Sequence, residues 1–184
     1  MWVEQWNKDV PSKSSMYEPH EDSYLLVEQV KKFVFGKVLD MGSGSGILAE
    51  AALEKTKDVL AVDVNKEVIV YLKKKRINVK YSDLFSNVRE KFDWIIFNPP
   101  YLPTEKNEQP DFETTSGPRG NEIIEKFLQQ AASHLKPKGK ILLLTSSFTK
   151  EIPKLFKTYN FEYQKTAEKK LFFEVLSVYC LSKE

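Results

Sequence analysis

The chain has 184 residues, 41% apolar and 29% charged, with a net charge of +2. This describes one domain with a proper core, and so small a charge excess argues against binding nucleic acid by phosphate neutralisation alone. The single cysteine, Cys180, excludes an intrachain disulfide, no apolar run approaches the ~20 residues that span a bilayer, and the N-terminus lacks a signal-peptide core, so cytoplasmic residence is the expectation.

Residues 1–20 read as an N-terminal arm and 21–184 as a single domain. Pro19, Glu21 and Asp22 suit the first turn of a helix that runs to about Phe33. Lys37 to Met41 is a short strand entering Gly42-Ser43-Gly44-Ser45-Gly46, and Ile47 to Leu53 is a helix. Strand, glycine turn and helix make a nucleotide-binding opening, because a turn without Cβ atoms lets the backbone approach a ligand. The G-x-G-x-G spacing with Asp40 before it differs from the dinucleotide fingerprint. Val59 to Asp63 is a second strand, whose terminal acid is placed for ribose hydroxyls. A helix from Lys66 to Arg76 follows, then an edge strand, Ile77 to Tyr81. Asp83, Leu84 and Phe85 come next and suit a purine, the acid on its exocyclic amine and the apolar pair against its ring.

Phe92 to Phe97 is an unbroken apolar run apart from Asp93, as in a parallel strand covered on both faces. It ends at Asn98-Pro99-Pro100-Tyr101. The prolines remove two donors and fix two φ angles, and Asn98 is pushed towards extended backbone. The carboxamide oxygen of Asn98 and the Pro99 carbonyl then form two fixed acceptors, which suit a planar –NH2, with the Tyr101 ring beside them. A polar loop spans 102–119. After it come a helix from Asn121 to Leu135, ended by Lys136-Pro137-Lys138-Gly139, a buried strand from Lys140 to Leu144, and a helix from Phe148 to Tyr159. Two strands, Phe161 to Thr166 and Leu171 to Leu181, close the chain as an antiparallel pair. His134 reads as a helix-end residue, and no serine has a histidine base nearby in sequence.

Asp40 with Gly42, Gly44 and Gly46, then Asp63, Asp83 and Asn98-Pro99-Pro100-Tyr101, in this order on alternating strands and helices, resemble a class I S-adenosylmethionine-dependent methyltransferase. The run Tyr17-Glu18-Pro19-His20-Glu21-Asp22-Ser23-Tyr24-Leu25-Leu26 is similar to HemK-like protein-glutamine methyltransferases of the short archaeal and eukaryotic type. Ser116-Gly117-Pro118-Arg119-Gly120 resembles that branch too, though the family more often has paired glycines there. The resemblance implies an α/β, Rossmann-like fold: a mostly parallel seven-stranded sheet with a C-terminal antiparallel pair and helices on both faces. It implies S-adenosyl-L-methionine as cofactor, held by Pro19, Asp22, Ser23, Asp40, Gly42, Gly44, Gly46, Asp63, Val64, Asp83, Leu84 and Asn98. It implies catalysis by Asn98, Pro99 and Tyr101, with Pro100 beside them in the substrate site, and no metal. The implied substrate is the glutamine of the Gly-Gly-Gln motif in a class I release factor. A small zinc-binding activator subunit would pair with the sheet edge at Ile77 to Tyr81. Two readings stand against this one: an RNA or DNA amino-methyltransferase acting on adenine N6 or cytosine N4, and a non-catalytic scaffold of the same fold.

Overall fold

The computed structural model describes residues 17–102, 116 and 118–183. The expected arm up to Met16, the loop residues Pro103 to Thr115 and Gly117 lie outside the described residues. The element order is α1 (Glu21–Phe33), β1 (Val38–Met41), α2 (Ile47–Leu53), β2 (Val59–Asp63), α3 (Lys66–Lys74), β3 (Val79–Tyr81) and β4 (Phe92–Phe97). It continues with α4 (Glu122–Ala131), a 3-10 turn (Ala132–His134), β5 (Leu135–Ser146), α5 (Ile152–Thr158), β6 (Phe161–Lys170) and β7 (Val175–Lys183).

The strands form one seven-stranded sheet in the order β3-β2-β1-β4-β5-β7-β6. The pairs among β1 to β5 are parallel, and β7 is antiparallel to both β5 and β6. Every residue of β1 and β2 is buried, and β4 is buried except for the half-buried Asp93, so these strands carry no polar alternation. One face is packed by α1, α2 and α3 through Leu26, Val30, Leu48, Val68 and Leu72. The other is packed by α4 and α5 through Ile124, Phe127, Leu128, Leu155 and Phe156.

The chain leaves β1 towards β2 and β3 on one side, then returns to place β4 on β1's other side. The carboxyl ends of β1 and β4 therefore flank a topological switch point, where open α/β sheets bind ligands. The pairing of Met41 with Phe97 sets Gly42 and Asn98 side by side just beyond the sheet.

Several expected boundaries move. The α3 helix stops at Lys74, and Arg76 takes a φ of 61°, so β3 begins only at Val79. Lys136 to Gly139 do not end a helix; they form the bulged start of β5. Phe92 pairs with Leu135, but Trp94 already pairs with Lys140, and Lys138 turns at a φ of 66°. Gly139 is required there, because a Cβ would lie 2.7 Å from the Phe92 carbonyl oxygen. The last helix begins at Ile152 rather than Phe148 because Glu151 adopts a left-handed φ of 59°. The β6 strand runs on to Lys170, so β7 starts at Val175.

Candidate active site

The acids and glycines singled out in the sequence meet along the carboxyl edge of β1, β2 and β4. Asp40, near the end of β1, is fully buried, and neither carboxylate oxygen has a hydrogen-bond partner among the described residues. Burial pushes its pKa up to about 7, while the neighbouring Ser43 hydroxyl pulls the other way. Asp63 ends β2. It accepts from the Gly44 N–H at 2.9 Å and the Asn65 N–H at 2.8 Å. Burial still holds its carboxyl above the usual range, against the backbone donors of Asn65, Gly44 and Val64. Val64 is otherwise exposed.

The three glycines of the turn do different jobs. All have positive φ. A Cβ on Gly46 would run into Leu72 at 2.5 Å, so this glycine lets α2 pack against α3. A Cβ on Gly42 or Gly44 would meet only ordinary contacts at 3.6 and 3.8 Å. Those two leave room above the turn that a side chain would fill.

Asn98 is the centre of the site. Its Nδ2 donates to Asp22 Oδ2 at 2.9 Å, and its Oδ1 is buried without a partner among the described residues. Asp22 in turn accepts from the Tyr17 hydroxyl at 2.7 Å and the Ser23 N–H at 2.7 Å. A carboxylate can only accept, so it fixes which end of the carboxamide faces it. The bare oxygen of Asn98 is what remains. Sequence reasoning put Asp22 and Ser23 on the cofactor; the structure places the Asp22 carboxylate on Asn98 and buries Ser23 against Asp22. Pro19 is half-buried just ahead of them.

Pro99 is buried, and Pro100 and Tyr101 are half-buried. The Tyr101 hydroxyl is held protonated by burial and by the nearby carboxylates of Asp22 and Glu174. Burial and Asp22 raise Tyr17 in the same way. Thr149 Oγ1 lies 3.5 Å from the Tyr101 carbonyl. Thr149, Glu174 and Ser146, whose hydroxyl donates to Glu174 at 2.6 Å, carried no signal in the sequence. Ser146 and Thr149 reach the site because β5 ends parallel beside β4, and Glu174 because β7 returns beside β5.

Asp83 is exposed just past β3, and Leu84 is half-buried at a φ of 46°. Phe85 is buried in the core rather than at the strand-end surface. It stacks on Phe127 at 5.4 Å and on His134 at 4.4 Å within the core. His134 also lies 3.1 Å from the Glu90 carbonyl through Nδ1. Ser116 Oγ accepts the Ile123 N–H at 2.9 Å, and Arg119 pairs with Glu122 and Glu125. Both therefore build the start of α4. No group of metal-ligating residues occurs among the described residues, and none of their helices is long and apolar enough to cross a membrane.

The family model described as "Methyltransferase small domain" matches residues 15–177. The chain belongs to this methyltransferase family. A relative from Methanocaldococcus jannaschii, "Putative protein N5-glutamine methyltransferase MJ0928", is 36% identical over 176 residues, covering 89% of each chain. "Ribosomal RNA small subunit methyltransferase C" of Photorhabdus laumondii is 34% identical over 159 residues, 82% of this chain but only 43% of that protein. Among solved structures, the E. cuniculi Mtq2-Trm112 complex, described as responsible for methylation of the eRF1 translation termination factor, superposes with a TM-score of 0.78. It is 22% identical and covers 93% of this chain and 100% of that one.

A solved SAM-dependent methyltransferase from Bacteroides fragilis, in complex with S-adenosyl-L-homocysteine, shares this fold at a TM-score of 0.64 and 17% identity, and the residues present here fit such a cofactor. Asp40 is a buried acid whose carboxylate oxygens have no hydrogen-bond partner among the described residues, Gly42 and Gly44 leave an open cradle, and Asp63 stands at the next strand end with lone pairs to spare.

Proposed function

We propose that the chain methylates the side-chain amide of a glutamine in a protein, and that its substrate is the Gly-Gly-Gln glutamine of a class I translation termination factor. The observation that carries this reading is the buried Oδ1 of Asn98 at the switch point, without a partner among the described residues and turned away from Asp22 by the bond that Asp22 makes to Nδ2. The name of the 36% identical relative and the function of the Mtq2 complex support the choice of substrate.

When bound, S-adenosylmethionine supplies a methyl group already made electrophilic by its sulfonium, so the chain needs no nucleophile of its own. Asp63 and Asp83 would hold its ribose and adenine, and Asp40 its cationic end. The substrate amide nitrogen is a poor nucleophile, because its lone pair is delocalised into the carbonyl. Asn98 Oδ1 and the Pro99 carbonyl accept hydrogen bonds from its two N–H groups and stabilise the positive charge that develops on nitrogen until one of these protons is lost to solvent. Asp22 orients Asn98 and polarises its carboxamide. Tyr101, kept neutral, forms a wall for the flat amide. Alignment of this kind contributes roughly 7–11 kcal/mol in well-oriented systems.

The β3 edge is the proposed seat of a small activator subunit, whose zinc is an expectation from the resemblance. The edge offers an unpaired strand beside exposed Tyr81 and Val64. A second reading, methylation of a nucleobase amine, has the ribosomal RNA methyltransferase relatives in its favour. A flipped base offers the same planar –NH2. Transfer of a labelled methyl group to a purified termination factor, compared with total RNA, tests the choice. Label on the protein, lost when its Gly-Gly-Gln glutamine is replaced, is the expected result. Label on RNA alone would overturn the proposal.

A further inference from the structure

The turn joining β6 to β7 holds two phenylalanines that the methyl-transfer site does not use. Phe172 is 91% exposed and Phe173 81%, their rings edge to face at 4.5 Å. The turn itself is held firmly. The Leu171 N–H donates to the Glu174 carbonyl at 2.8 Å, and the Ser147 N–H to the Val175 carbonyl at 2.9 Å. The Val175 N–H donates to Ser147 Oγ at 3.0 Å, and Ser146 Oγ to Glu174 at 2.6 Å. A pinned turn that keeps two large aromatic side chains in water is the mark of a contact surface rather than of a frayed loop.

Its position says which contact. Ser146 pairs with Leu176, so the turn projects beyond the carboxyl end of β5, the same edge of the sheet that carries Asn98 beyond β4. Lys169 reaches Glu21, the neighbour of Asp22, and Leu171 and Tyr101 pack on the same core. The β3 edge lies at the opposite side of the sheet, so the turn is remote from the proposed activator seat. Glu174, Asp22 and Glu21 on this side of the sheet disfavour phosphates; of the nearby lysines, Lys165 and Lys169 are paired with Glu168 and Glu21, and the charge of Lys170 acts on Glu168.

We propose that Phe172 and Phe173 grip the polypeptide substrate, taking exposed apolar side chains that flank the methyl-accepting residue. This rests on the protein-substrate reading above. Anchors of this kind act on ground-state binding, so they belong in KM rather than in the chemical step.

The test is a double substitution, F172S/F173S, assayed on a full-length class I termination factor beside the unaltered chain. The proposal expects KM for the protein to rise about tenfold or more. Turnover at saturation should stay within about twofold, with cofactor affinity and melting temperature unchanged. F172L/F173L should recover most of the lost affinity, since it restores apolar area. If the unaltered chain methylates the factor and F172S/F173S keeps its KM, the proposal falls while the glutamine reading stands; a change only in oligomeric state, with KM kept, assigns the turn to a second copy and equally overturns it. If the unaltered chain labels RNA and leaves the factor untouched, both readings fall together.

Discussion

Replacing Asp22 with asparagine would unlock the central side chain without removing it. In the native site Asn98 Nδ2 donates to a carboxylate at 2.9 Å. Turning the carboxamide over would lose that charge-assisted bond, worth roughly 1.5–3 kcal/mol, and would set its oxygen against another oxygen. The native orientation is thus favoured by at least about ten- to a hundredfold. An asparagine at position 22 can either donate or accept, so this bias disappears and about half the molecules would present an –NH2 where the substrate needs an acceptor. That alone costs roughly twofold. The larger loss comes from removing the negative charge that polarises Asn98 towards the developing cation, and the total expected fall in kcat is ~10–10²-fold. The cofactor dissociation constant, read by calorimetry, should change by less than about threefold. The assay is methyl transfer to a termination factor under cofactor saturation. If D22N turned over normally but bound the cofactor weakly, Asp22 would belong to the cofactor and the positioning argument would be refuted.

Asp63→Ala should weaken cofactor binding by about tenfold or more, since hydrogen bonds to a charged group contribute ~1.5–3 kcal/mol; unchanged calorimetric affinity would contradict its role. Asp40 gives a stability signature, because its folded pKa of about 7 lies above the ordinary 3.8. The folded chain keeps a proton that the unfolded chain releases, so this contribution is full below about pH 4 and is lost as pH rises towards 7, at up to ~1.4 kcal/mol per pH unit. Urea unfolding of the cofactor-free protein should show D40N gaining on the unaltered chain between about pH 4 and 7, and parallel pH profiles over that span would refute the argument. Gly46→Ala should lower folding stability by ~1–3 kcal/mol, through its φ of 83° and the collision with Leu72; an unchanged denaturation midpoint would contradict that packing role.

Much of the fold was legible because β1, β2 and β4 are buried on both faces and so spell out continuous apolar runs. The glycine turn, Asp63 and Asn98-Pro99-Pro100 could be placed at neighbouring strand ends because they follow one another in order after apolar runs, although each alone is a common turn signal. The link between Asn98 and Asp22 spans 76 positions, and no local pattern announces a long-range bond of that sort. The same limit hid Glu174, Ser146 and Thr149. Phe85 misled because an apolar residue beside a site acid reads alike whether it meets a ligand or, as here, Phe127 and His134. The bulge at the start of β5 misled because Pro137 and Gly139 mimic a helix stop, while the pairing of Phe92 with Leu135 overrides that signal.

Single-turnover methylation of a termination factor by Asn98→Ala bears most directly on the account. With cofactor affinity kept within a few-fold, the rate should drop by about 10² or more, as when one preorganised group is removed from a developing charge. An unaltered rate would show that the bare oxygen at the end of β4 takes no part in the reaction.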